Sequence, residues 1–166
     1  MSPVLETLVR GTVMGVAAAA LMDLWALLLR RGFGIPTLDY AMLGRWIGHV
    51  ARGRFAHQRI AAAEPVPGER ALGYLAHYGI GVAFAVLLLL VAGLDWARAP
   101  TVWPALAIGL GTIAAPWLVM QPGMGAGIAG SKTQDPTATR VRNLATHTVY
   151  GLGLYGAAAL LALVWA

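Results

Sequence analysis

The sequence predicts an all-α polytopic membrane protein: four transmembrane helices plus an interfacial amphipathic helix on the cytoplasmic side. Three observations predict it. Of 166 residues, 58% are hydrophobic and only 11% are charged, against about 25% charged in soluble domains. Four apolar runs reach the roughly 20 residues that a helix needs to cross a bilayer. Each run is too long for a strand, and a helix satisfies its own backbone in hydrocarbon. The chain therefore reads as one integral membrane domain, 1–166.

The first run, about 11–29, is interrupted only by Asp23. Arg10 and the small residues Ala18 to Ala20 resemble a cleaved leader, but the apolar run continues to Leu29, so it reads as a span. The second run, about 73–94, contains only His77, and the third, about 101–120, has no charge. The fourth, about 144–166, contains His147. Pro116 lies inside the third run and predicts a kink.

Charge placement sets the orientation. Arg30, Arg31, Arg45, Arg52, Arg54, Arg59 and Arg70 lie between the first two spans, and Lys132, Arg140 and Arg142 between the last two. The other side carries only Arg10 and Arg98. Positive residues stay inside, so both long loops are expected in the cytoplasm of a bacterial inner membrane, with both termini outside. Trp96 and Trp103 would mark the outer interface. The net charge of +5 sits beside apolar runs. It points to the bilayer and its anionic lipids as partners of the basic loops, and not to nucleic acid.

In the first long loop, Leu38, Met42, Trp46, Ile47 and Val50 share one helical face, and Arg45, His49 and Arg52 another. This is the pattern of a helix lying on the membrane surface. Thr37 is its expected N-cap, Arg45 and Trp46 its surface anchors, and His49 and His57 are expected in solvent. The Pro65–Gly68 stretch then turns the chain into the second span.

The stretch MQPGMGAGIAGSKTQDP, 120–136, contains G-x-G-x-x-G at Gly125, Gly127 and Gly130. A dinucleotide site needs a preceding strand, and a P-loop needs Gly directly before Lys, where Ser131 stands here. No nucleotide is expected. Gly125, Gly127, Gly130 and Lys132 could at most cradle a small anion or lipid head group. Asp135 as N-cap and Pro136 at the first position start the next helix.

Ionisable residues inside spans are costly and functional by default. Asp23, His77 and His147 are placed by span direction in one inner layer, with Gln121 at the end of the third span. Each lies on a small-residue stripe: Gly11, Gly15, Ala19, Asp23; Gly73, His77, Gly81, Ala85; Asn143, His147, Gly151, Tyr155. Such stripes face neighbouring helices. The leading reading is a small-solute or proton binding or transport site built from Asp23, His77, Gln121, His147 and Tyr155. A second is a metal or haem centre on His77, His147 and Asp23 with Met120, in a redox protein or an intramembrane enzyme. A third is a structural or accessory subunit whose polar residues lock the bundle. There is no cysteine, which excludes disulfides and thiolate sites. The G-x-x-x-G at Gly11 and Gly15 is the expected contact of a homo-oligomer.

The segments MDLW (22–25), GRWIGH (44–49), HYGIG (77–81), PWLVMQPGMG (116–125) and NLATHTVYGLGLY (143–155) cover nearly the whole chain. Together they resemble a bacterial family of small integral membrane proteins catalogued as a domain of unknown function. The resemblance implies a four-helix membrane protein and supplies no activity.

Overall fold

A computed structural model describes residues 1–165. The described residues form helices joined by turns and irregular segments, with no strand among them. Helices α1 (Pro3–Phe33), α2 (Tyr40–Val50), α3 (Glu69–Arg98), α4 (Val102–Gly111), α5 (Gln121–Met124) and α6 (Pro136–Val164) follow in order. Four helical stretches are long and apolar enough to cross a membrane: Pro3–Phe33, Glu69–Arg98, Val102–Met124 and Pro136–Val164. Each contains most of one of the four apolar runs, and the first, second and fourth begin before their runs, in more polar residues. The last residue of the fourth predicted span, Ala166, lies outside the described residues.

Local signals account for most boundaries. Ser2 caps α1 by accepting from the Leu5 amide at 3.3 Å, and Pro3 takes the first helical position, where a missing N–H costs nothing. Asp135 caps α6 by accepting from the Ala138 amide at 2.9 Å, with Pro136 next. The cap of α2 is Asp39 and not Thr37, because the Asp39 carboxylate accepts from the Ala41 amide at 2.9 Å. Helix α3 breaks at Gly93, whose φ of 83° only glycine adopts without strain. The third span is not one regular helix. After α4, Pro116–Met120 form a π turn, closed by the Gln121 amide on the Pro116 carbonyl. The kink expected at Pro116 is thus a change of helical winding.

The chain forms two compact units. The first comprises Met1–Ile35, Tyr78–Thr112 and Ala145–Ala166. Its core is Met14, Leu88 and Leu154, all fully buried, together with alanines at 18, 85, 97 and 105. Small residues make this packing close. A Cβ added at Gly15 would stand 2.5 Å from the Val82 Cα, so α1 meets the backbone of α3 there. A Cβ at Gly109 would stand 2.6 Å from the Gly151 Cα, so α4 and α6 cross at paired glycines. Gly11 and Gly15 are both buried in these contacts within the chain. The stripe is occupied by Val82 and Val86 of α3.

At one end of this unit Arg10 is almost fully buried, with 3% exposure. It donates to Glu6 at 3.0 Å and lies 4.8 Å from the Trp165 ring centre. Arg98 closes the group on the other Glu6 oxygen, also at 3.0 Å. Trp103 is exposed, but Trp96 is buried and donates to the Thr101 carbonyl at 3.1 Å. Trp96 therefore belongs to the core and not to the aromatic belt.

The second unit comprises Pro36–His77 and Ile113–Leu144. Here α2 meets the start of α3 at Gly44 and Gly73. A Cβ on Gly44 would overlap the Glu69 carbonyl, and one on Gly73 the Tyr40 carbonyl. The turn through Gly68 holds the Glu69 amide on the Val66 carbonyl at 3.0 Å, as the Pro65–Gly68 signal predicted.

The crossing at Gly15 yields a direct prediction. Gly15→Leu lowers stability in detergent by about 1–3 kcal/mol, the usual cost of overpacking. Gly79→Ala, whose added Cβ would meet nothing within 4 Å, leaves stability within about 1 kcal/mol or raises it through helix propensity. Thermal unfolding of both variants beside the wild type checks this.

Candidate functional site

In the first unit, ionisable side chains from α1 and α6 each bond to a hydroxyl. Asp23 on α1 accepts from the Tyr78 hydroxyl of α3 at 2.8 Å. His147 on α6 places Nδ1 3.1 Å from the Gly109 carbonyl and 3.1 Å from the Thr112 hydroxyl. The Thr112 hydroxyl itself donates to the Gly109 carbonyl at 2.7 Å. A carbonyl only accepts, so the proton belongs on Nδ1 and the lone pair on Nε2. Nε2 has no hydrogen-bond partner among the described residues. One turn later Tyr150 donates to the Gly81 carbonyl at 2.6 Å. Glycine explains both acceptors: with no side chain above it, a helical carbonyl is open to a second donor from a closely packed neighbour.

The second unit holds a denser polar network. Arg45 binds Glu69 through two contacts, Nε to Oε2 and Nη2 to Oε1, both at 2.8 Å. Its remaining nitrogen, Nη1, donates to the carbonyls of Ala61 at 3.3 Å and Ala63 at 3.2 Å. Glu69 also takes the Val66 amide at 3.0 Å. The Glu69 carboxylate raises the Arg45 guanidinium above its ordinary pKa, so this cation is fixed at all working pH. Arg45 is not a surface anchor but a clamp, joining α2, the 60–63 turn and the start of α3.

His49 and His57 are also inside, at 6% and 7% exposure, and not in solvent as their basic loop suggested. Their rings meet edge to face with centroids 4.9 Å apart. His49 Nε2 donates to the Glu64 carbonyl at 3.0 Å. His57 Nδ1 donates to the Gly123 carbonyl at 3.3 Å, leaving its buried Nε2 without a partner among the described residues. Helix α2 thus buries its Arg45 and His49 edge, while Met42, Trp46, Ile47 and Val50 stay partly covered and Leu38 is exposed. Polar groups with defined bonding partners share the interior with Ala41 and Leu43, and the predicted apolar face is only partly covered.

The sequence-predicted residues are divided between the units. Asp23, His147 and Tyr155 fall in the first, and His77, Gln121 and Met120 in the second. Tyr155 packs against the apolar core. His77 Nε2 lies 3.1 Å from the Tyr40 hydroxyl, with the two rings 4.5 Å apart. Gln121 is buried, and its side-chain oxygen has no partner among the described residues. Met120 ends the π turn. Among the described residues no group of three or more His, Cys, Asp or Glu is placed to hold a metal ion.

In the glycine loop, the amides of Gly125, Ala126, Gly130, Ser131, Lys132 and Thr133 all donate to backbone carbonyls. Those N–H groups close the loop on itself, and Lys132 is exposed beside it. Gly125 is needed because a Cβ there would overlap the Gln58 carbonyl.

Sequence reasoning missed Tyr78, Thr112 and Glu69. Thr112 had a signal, being a hydroxyl in the middle of an uncharged span. Tyr78 stood beside the more conspicuous His77. Glu69 had none, since nothing in the sequence pairs it with an arginine 24 positions earlier.

The fold and these polar groups define an all-helical protein with four helices of membrane-crossing length. The chain belongs to the family described as protein of unknown function (DUF2938), whose match covers residues 12–161. No curated protein and no solved structure matches it.

The Arg45 clamp is testable by substitution. Arg45→Lys keeps the charge but cannot make the two-pronged contact, so it lowers the melting temperature nearly as far as Arg45→Gln. Arg98→Gln, at an exposed ion pair, lowers it less. Melting curves of the purified variants rank the three.

Proposed function

We propose that this protein binds and passes a proton or a small polar solute across a bacterial inner membrane. Asp23 and His147 are its exchanging groups. The carrying observation is their seating: each lies in a long apolar helix and is oriented by a hydroxyl from elsewhere in its unit, Tyr78 or Thr112. Carboxylates and imidazoles at such depth are costly and serve as relay groups where they occur. The Nδ1 bond to Gly109 supports the reading because it leaves the Nε2 lone pair of His147 without a partner among the described residues. Tyr78 and Thr112 act as positioning residues.

In this reading both basic loops lie in the cytoplasm and both termini outside, as the arginine distribution requires. The exposed Leu38 and the partly covered apolar face of α2 rest on the inner leaflet, whose anionic lipids meet the surrounding arginines.

The test is flux into proteoliposomes carrying an internal pH dye. Wild-type protein collapses an imposed pH gradient faster than empty vesicles do. Asp23→Asn and His147→Gln each reduce that rate at least tenfold, the size expected when a positioned acid–base group is lost. Tyr150→Phe, which removes only a bundle hydrogen bond, keeps the rate. Flux in both relay variants equal to wild type, or no flux from the folded wild type for protons or small cations, overturns the reading.

A further inference from the structure

We propose that the groove between α1 and α6 seats an acyl chain of an anionic phospholipid whose phosphate is held by Arg30 and Arg31. The groove lies wholly in the first unit and is lined by Leu21, Leu24, Trp25, Leu28, Val149 and Leu152. Its volume is about 290 Å³, at the small end of ligand sites, and its walls are almost entirely apolar. Leu24 and Leu28 are 61% and 53% exposed. On a helix read as crossing a bilayer, hydrocarbon is the occupant that fits such a surface.

Charge selects the head group. Leu21, Leu24, Leu28 and Arg31 recur at spacings of three and four, so Arg31 continues the same face of α1 beyond the groove. Arg30 stands next to it, and both are exposed. Neither has an ion-pair partner among the described residues, unlike Arg10, Arg45 and Arg98. Helix α1 ends two residues later at Phe33, so the two cations sit where a span leaves the hydrocarbon and phosphates begin. An apolar cleft with two uncompensated arginines at its mouth complements a chain bearing a phosphate. A zwitterionic lipid has the same chains, but its choline nitrogen offsets that attraction. The site shares no residue with the Asp23 and His147 relay and stands or falls apart from it.

The experiment is native mass spectrometry of the full-length protein in detergent, titrated with phosphatidylglycerol or phosphatidylcholine of identical chains. Wild type binds phosphatidylglycerol about tenfold more tightly, the scale of attraction from a pair of surface arginines. Arg30→Gln/Arg31→Gln removes that preference. Leu24→Trp, which fills the groove from an exposed position, weakens binding of both lipids. Equal binding of the two lipids by wild type overturns the proposal, as does a preference that survives the arginine substitutions. Unchanged binding in Leu24→Trp overturns the groove as the seat of the chain.

Discussion

A polar group on a helix in hydrocarbon has no water to turn to, so it must reach a partner on another helix. Side chains are short, and helices therefore have to come close. The glycines decide where this happens. At Gly109 the missing side chain lets α6 approach α4, and the same absence opens the Gly109 carbonyl to His147. At Gly81 the carbonyl is open to Tyr150. Close packing and polar satisfaction are thus one device at His147 and Tyr150, each bonded to the carbonyl of a closely packed glycine. Such intramembrane bonds contribute about 0.6 kcal/mol each on average, so their value lies in fixing orientation more than in stability.

The second unit solves the same problem with charge. The Arg45 and Glu69 pair removes a cation from the surface of α2 and spends all three guanidinium nitrogens on defined acceptors. A buried ion pair is weak evidence of stability by itself. Its geometry here does something else: it fixes how α2, the 60–63 turn and the start of α3 meet. With that clamp in place α2 turns its Arg45 and His49 edge inward, and Met42, Trp46, Ile47 and Val50 stay only partly covered.

Much of the fold was legible because hydrocarbon imposes simple rules. Length and apolarity gave the four spans, Asp135–Pro136 gave the start of α6, and the four-residue stripes gave the inward faces at Gly15, Ala19, Gly81 and Gly151. Less was legible where the answer depended on a partner distant in sequence. The inward face of α2 was misjudged because hydrophobicity ranks Arg45 and His49 as outward, and only Glu69 and the Glu64 carbonyl make them inward. Trp96 looked interfacial because position alone cannot reveal the Thr101 carbonyl that accepts from its ring. The G-x-x-x-G at Gly11 and Gly15 did not say that α3 would pack on it, because a motif does not name the helix that fills it. Of the candidate site, Asp23 and His147 stood out as ionisable residues in apolar runs, while the hydroxyls they bond to did not.

The crossing at Gly109 and Gly151 brings the Gly109 carbonyl to His147, and the tautomer of that ring reports the contact. Nitrogen-15 magnetic resonance of the protein in lipid bilayers, with His147 assigned by comparison with His147→Gln, reads which ring nitrogen carries the proton. The expected result is a neutral ring protonated at Nδ1 with a bare Nε2. A ring protonated at Nε2 would mean that Nδ1 does not donate to the Gly109 carbonyl, and the proposed arrangement of the site would be wrong.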